Sequence, residues 1–204
     1  MARIAGSKGP RTAALIREVG LTLIHEHGFE AMSLRDLAAE VGIQPASLYN
    51  HISSKQELLF GLVREHMEAL LASTEAALDA APPDPRGQVR AFVAHHLLYH
   101  MDKKREVYVA NFELRALEPR NRDAILALRR GYEGRLIALL DAGVAAGGFA
   151  LADTRVAAYA MLAMLTGVCT WYRPDGRLTP EEVVRLHTDL VLEGCRRPEE
   201  ALPA

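Results

Sequence analysis

The chain has 204 residues, half of them hydrophobic, with 24 Lys and Arg against 26 Asp and Glu and a net charge of −2. That length suits one domain or two small ones with a sizeable core, and the near balance of charge excludes a uniformly basic nucleic-acid coat, so any such binding must come from local clustering. The two cysteines, Cys169 and Cys195, exclude a disulfide framework and fit a reducing, cytoplasmic setting, while the N-terminus lacks the apolar stretch of a secretory signal.

Apolar spacing is helical from end to end, without strand alternation, internal repeat or low-complexity tract. It predicts an all-α fold of about nine helices. The first helix is expected over residues 10–27, with Ile16, Val19, Gly20, Leu23, Ile24 and His27 on one stripe and Gly28 as its C-cap. Arg3, Lys8, Arg11 and Arg17 all precede the first acidic residue, Glu18, and with Lys55 are expected to form a local positive surface.

Residues 33–52 are the most informative stretch. Ser33 can cap a helix, with Asp36 completing a capping box. Leu37 and Val41 give that helix a buried side, and Ala38 is small enough for a second helix to cross closely. Gly42 stands where the chain must turn and accepts positive φ without steric cost. Ile43 anchors the turn. Pro45 suits the first position of the next helix, whose missing N–H would be unpaired there anyway. Leu48 anchors that short helix inward, leaving Gln44, Ser47, Asn50 and the Tyr49 hydroxyl to face out. Ser54 and Glu57 form a second expected capping box. Lys55 then sits at a helix N-terminus, where backbone amides and a cation jointly suit a phosphate. Helix, sharp turn, short polar helix and long helix together make a device that places one helix in the major groove of DNA. An ordinary helical hairpin inside an all-α core is the bland alternative.

A long helix is expected over 54–80, broken by Pro82-Pro83-Asp84-Pro85. Further helices fit 86–101, 104–117, 120–147, 153–172 and 180–195. The boundary between the first domain (8–68) and the second (69–196) falls inside the long helix. Residues 156–172 are the most apolar run, at the short edge of membrane-spanning length; their Ala, Thr and Gly content reads as a buried helix, and no membrane association is expected. That helix is apolar nearly all round and needs cover on several sides. With the final helix it is expected to form half of a four-helix bundle at a two-fold homodimer interface, through Val156, Tyr159, Ala163, Val183, Leu186, His187, Leu190 and Val191. The alternative keeps both helices inside a monomer.

Enzyme signatures are missing. The chain has no G-x-S-x-G, P-loop or G-x-G-x-x-G, no Ser-His-Asp order and no convergent carboxylate pair. No catalytic residue and no cofactor are expected. His96 and His100, one helical turn apart with His95 beside them, suit two metal ligands but lack a third, so no metal is expected either. A helical enzyme or metal-binding protein is thus the rival class.

The runs His27-Gly28-Phe29, Ser33-Leu34-Arg35-Asp36-Leu37-Ala38, Val41-Gly42-Ile43, Leu48-Tyr49-Asn50-His51 and Ser54-Lys55-Gln56-Glu57-Leu58-Leu59 resemble the tetracycline-repressor (TetR) family of bacterial transcription regulators. The resemblance covers the first quarter of the chain. It implies an N-terminal three-helix DNA-binding domain and a C-terminal helical domain for effector binding and dimerisation. It also implies that Tyr49, His51, Lys55 and Ser33 touch the DNA backbone and that Gln44, Pro45, Ala46, Ser47 and Asn50 read bases, with Arg35 counted in the DNA-facing set. Gln44 stands where the family often has Ser or Thr, Ala46 where it often has Gly, and Ile52 where it often has Phe. A Gln there can donate and accept at an adenine edge.

The resemblance further implies a repressor that binds a palindromic operator in double-stranded DNA as a dimer and is released by a small effector; an activator is the alternative. The effector pocket is expected among Phe92, His96, Tyr99, His100, Tyr108, Phe112, Arg115, Met161, Met164 and Trp171. A buried Arg115 would need an anion. The run from Trp171 to Glu182 looks like relatives that sense acyl-coenzyme A or other lipophilic compounds.

Overall fold

The computed structural model describes residues 8–196. Among them it shows α1 (Lys8–His27), α2 (Leu34–Val41), α3 (Pro45–Leu48), α4 (Lys55–Asp79), α5 (Pro85–Asp102), α6 (Lys104–Phe112), a 3-10 turn (Leu114–Ala116), α7 (Pro119–Ala145), α8 (Thr154–Thr166), α9 (Val168–Trp171) and α10 (Pro180–Gly194). No strand occurs among the described residues, so the fold is all-α. Counting α8 and α9 as one interrupted helix gives the expected nine.

Local chemistry sets most of these boundaries. Gly28 ends α1 at φ 82°, and its N–H bonds to the Ile24 carbonyl at 2.9 Å. Asp84 caps α5 by accepting from the Gly87 N–H at 2.8 Å, with Pro85 next in line. Thr179 and Glu182 close a reciprocal capping box at the start of α10.

Three expectations are corrected. The helix predicted over 104–117 stops at Phe112. There the Asn111 side chain donates to the Val107 carbonyl at 3.0 Å, competing with the backbone ladder, and the Gln56 side chain takes the chain beyond. The helix predicted over 153–172 is interrupted at Gly167, whose carbonyl accepts from both the N–H and the hydroxyl of Thr170, at 3.1 and 2.8 Å. On α1 the buried face is Ile16, Gly20, Leu21 and Ile24, whereas His27 is exposed beside Glu26.

The chain forms two compact units, one comprising Met1–Glu68 with Arg105–Leu126 and the other Ala69–Lys104 with Ala127–Ala204. In the first, α1 packs on α2 and α2 on α3 over a core that includes Ile24, Phe29, Leu37, Leu48 and Leu59. In the second, α5 is the central helix, covered by α8, α9 and α10, with Val89, Phe92, Val93 and Leu97 fully buried. Among the described residues no helix is long and apolar enough to cross a membrane.

Candidate nucleic-acid interface

The first unit presents the helix-turn-helix as a formed surface. Ser33, at the N-cap of α2, accepts from the Asp36 N–H at 3.1 Å, and its hydroxyl donates to the Asp36 carboxylate. Leu37 and Ala38 are fully buried, so α3 can cross close to α2. Gly42 takes φ 74°, and its N–H reaches the carbonyls of Ala38 and Ala39. The short α3 is then anchored by one side chain, Leu48, at 0% exposure.

Its other side chains are left outside. Gln44, Pro45, Ala46 and Asn50 are exposed, and Tyr49 is 59% exposed. Gln44 makes no side-chain bond to the helix it opens, so its amide is uncommitted to capping. Ser47 and His51 are half-buried, nearer the fold than their neighbours. Arg35 is exposed on α2. Exposed polar groups on a rigid helix cost nothing to desolvate until a partner arrives, which suits them to read a duplex.

The start of α4 borders this surface. Ser54 accepts from the Glu57 N–H at 3.0 Å, as the predicted box requires. The other half of the box differs: the Glu57 carboxylate accepts from the N–H and hydroxyl of Ser53 rather than from Ser54. Those bonds hold the Glu57 carboxyl below its ordinary range, so it stays ionised. Lys55, the first residue of α4, lays its ammonium 4.4 Å from the centre of the Phe29 ring and donates to the Glu30 carbonyl at 3.1 Å.

The basic cluster predicted around α1 is smaller than its sequence suggests. Arg17 is tied to Glu65 on α4, which removes it from the positive surface. Arg11 is exposed. Arg3 and the Lys8 side chain lie outside the described residues.

Sequence spacing also missed a clamp within this unit. The Gln56 amide donates to the Ala116 carbonyl at 2.7 Å and accepts from the Glu118 N–H at 3.1 Å. Both bonds go to backbone sixty or more positions along the chain, so no local pattern announces them.

The ten residues expected around an effector divide between the units. Tyr108, Phe112 and Arg115 belong to the first. Tyr108 and Phe112 pack as tilted rings at 4.5 Å on its surface, with His25 edge-on to Tyr108 at 4.9 Å. Arg115 lies exposed on the 3-10 turn, so no buried guanidinium calls for an anion there.

The remaining seven belong to the second unit. Phe92, His96, His100 and Met161 are buried, Tyr99 and Met164 are half-buried, and Trp171 is 48% exposed, stacked on His187 at 6.0 Å. His96 is the hub of a polar network. Its Nδ1 pairs with the Tyr132 hydroxyl at 2.9 Å, its Nε2 with the Thr166 hydroxyl at 3.2 Å, and its ring stacks on His100 at 3.7 Å. His95 pairs with Thr74 at 3.1 Å. With both His96 nitrogens engaged, the ring is satisfied as a structural element. Among the described residues no group of three His, Cys, Asp or Glu could hold a metal ion.

The predicted dimer face is also redrawn. Val183 and Val191 turn into the chain's own core, because α10 packs on α5 along that stripe. Val156, Tyr159, Ala163, Leu186 and Leu190 stay outside, with Val156 at 62% and Leu190 at 60% exposure, and His187 lies between the two sets.

Comparison with known proteins agrees with this architecture. Residues 16–62 match the model of bacterial regulatory proteins of the tetR family, and residues 82–195 match a tetracyclin repressor-like C-terminal domain. The transcriptional repressor KstR2 of Rhodococcus jostii is 28% identical over 196 residues, covering 95% of each chain. A solved TetR-family regulator, PfmR of Thermus thermophilus, is 36% identical with a TM-score of 0.80, over 89% of this chain and 99% of that one. AibR, solved with isovaleryl coenzyme A and operator DNA, is 26% identical with a TM-score of 0.81, over 88% of this chain and 97% of that one.

Proposed function

The chain belongs to the tetR family of bacterial regulatory proteins, and from that membership we infer that it is a transcriptional repressor whose α3 segments read an operator. One observation carries this reading: a four-residue helix held by a single buried Leu48, with Gln44, Pro45, Ala46, Tyr49 and Asn50 uncovered around it. Tyr49, His51, Ser33 and Lys55 are assigned to phosphates, and Gln44, Ser47 and Asn50 to base edges. Arg35 joins the phosphate-facing set.

Two such chains are proposed to pair through the uncovered face of α8 and α10. Val156, Tyr159, Ala163, Leu186 and Leu190 are exposed apolar residues on α8 and α10, two helices that both pack on α5, and apolar side chains left uncovered in number suit an interface. A two-fold dimer presents its two reading helices about 34–36 Å apart and selects a palindrome. Release by a small effector follows the family pattern. An acyl-coenzyme A or similar lipophilic compound is the class we favour, supported by the similarity to AibR, solved with isovaleryl coenzyme A.

Native mass spectrometry of the purified protein tests both assignments. A mass of two chains, with any retained compound of coenzyme A type released on denaturation, is the expected result. That compound should then lower affinity for a promoter fragment. A strictly monomeric protein on and off DNA would overturn the dimer.

A further inference from the structure

A cation at the first residue of a helix opposes the helix dipole. Lys55 occupies that position at the head of the 25-residue α4. Its ammonium faces the Phe29 ring at 4.4 Å and the Glu30 carbonyl at 3.1 Å. Among the described residues no ion pair to Lys55 is found within 4 Å, and the nearby Glu57 carboxylate is committed to Ser53. Arg17 in the same unit is the contrast, since Glu65 pairs with it directly. A carboxylate fixes a cation and cancels its charge. An aromatic face and a carbonyl fix the cation and leave the full charge for an outside anion.

The holder is itself packed and hydrogen-bonded into the fold. Gly28, at φ 82°, turns the chain so that Phe29 enters the core at 4% exposure. The Met32 N–H closes the same turn on the Gly28 carbonyl at 3.2 Å. We propose that Phe29 and the Glu30 carbonyl are positioning elements for DNA binding, presetting the Lys55 ammonium for a backbone phosphate before the duplex arrives. This rests on the assignment of Lys55 to phosphate. It adds that the α1–α2 turn belongs to the DNA-binding machinery without touching DNA. Preorganisation of this kind raises affinity by removing the cost of immobilising a long side chain at the moment of binding.

The test is a double-mutant cycle on a random-sequence duplex at low salt, with thermal melting of each variant as a folding control. Phe29→Leu should weaken binding about two- to fivefold. Phe29→Tyr, which keeps the ring face, should restore it. In a Lys55→Ala background Phe29→Leu should make no further difference. Equal losses in both backgrounds, or no loss in either, would overturn the proposal. If Phe29→Leu does not fold, the unmutated protein still decides: the Lys55 ε-methylene protons should be ring-shielded in the free state and stay so on the duplex, and unshielded protons in the free state would refute presetting. The two ideas fail separately. An unaltered affinity in Lys55→Ala removes the phosphate assignment, whereas a weakened Lys55→Ala beside an unaffected Phe29→Leu removes only the positioning role.

Discussion

The Pro45–Asn50 stretch and the His95–His100 stretch are both short, helical and rich in polar side chains. In the first, Tyr49 and Asn50 stand in solvent around the buried Leu48. In the second, Tyr132 and Thr166 close on His96 inside the core, and Thr74 pairs with the half-buried His95. An uncovered polar group is available to a partner at little prior cost. A covered one is stabilising only while every bond is kept, and the loss of one bond leaves a desolvated group behind. The first stretch is therefore the one left free for the DNA contacts proposed above, while the second is tied into the fold by its own bonds.

Substitutions that cross this divide sharpen it. Leu48→Ala removes the one anchor of α3 and should destabilise the first unit by about 2–5 kcal/mol, while its neighbour change Tyr49→Ala should stay within about 0.5 kcal/mol. Urea unfolding of the pair measures both, and equal costs would erase the distinction. Tyr132→Phe leaves the His96 Nδ1 without its hydroxyl partner and should cost about 1–3 kcal/mol in the same assay. A neutral result would mean that the network contributes nothing to stability.

The buried network also sets an acid limit. Burial, reinforced by the neighbouring His100 and His95 rings, holds the His96 imidazole well below its ordinary value of 6.5. The folded chain thus keeps His96 neutral while the unfolded chain takes a proton below that value. Stability is unaffected by this group above pH 6.5 and falls as the pH drops beneath it, by up to about 1.4 kcal/mol per pH unit. His96→Gln should flatten that acid slope in melts at stepped pH. An unchanged slope would assign acid sensitivity elsewhere. The smallest expected effects are those of Tyr49→Ala and Lys55→Ala on DNA. Each should weaken binding to all sequences alike, and Lys55→Ala should lower the salt slope by about one. A preference lost at one base pair only would contradict a phosphate role.

What the sequence made legible was local. Gly28, Ser33, Gly42 and Ser54 each mark a boundary through a bond to a residue within five positions, and the exposed α3 segment is framed by such signals. What it hid was distant or directional. Lys55 meets Glu30, Gln56 meets Ala116, and His96 meets Thr166 across 25, 60 and 70 positions, separations that periodicity cannot see. On α10 the apolar stripe was visible, but not its division into Val183 and Val191 inside and Leu186 and Leu190 outside. That division depends on where α5 lies. Arg17 read as a free cation because its partner Glu65 sits on another helix.

Selection of bound duplexes from a random pool, run in parallel for the unmutated protein and for Gln44→Ala, tests the assignment of the α3 segment most directly. The account predicts a two-fold symmetric consensus for the unmutated protein. It predicts that Gln44→Ala changes this consensus at one matched position in each half, with about 1–3 kcal/mol of discrimination lost there. An identical consensus from both proteins would take Gln44 out of the readout, and an asymmetric or featureless one would contradict the symmetric reading of DNA by α3.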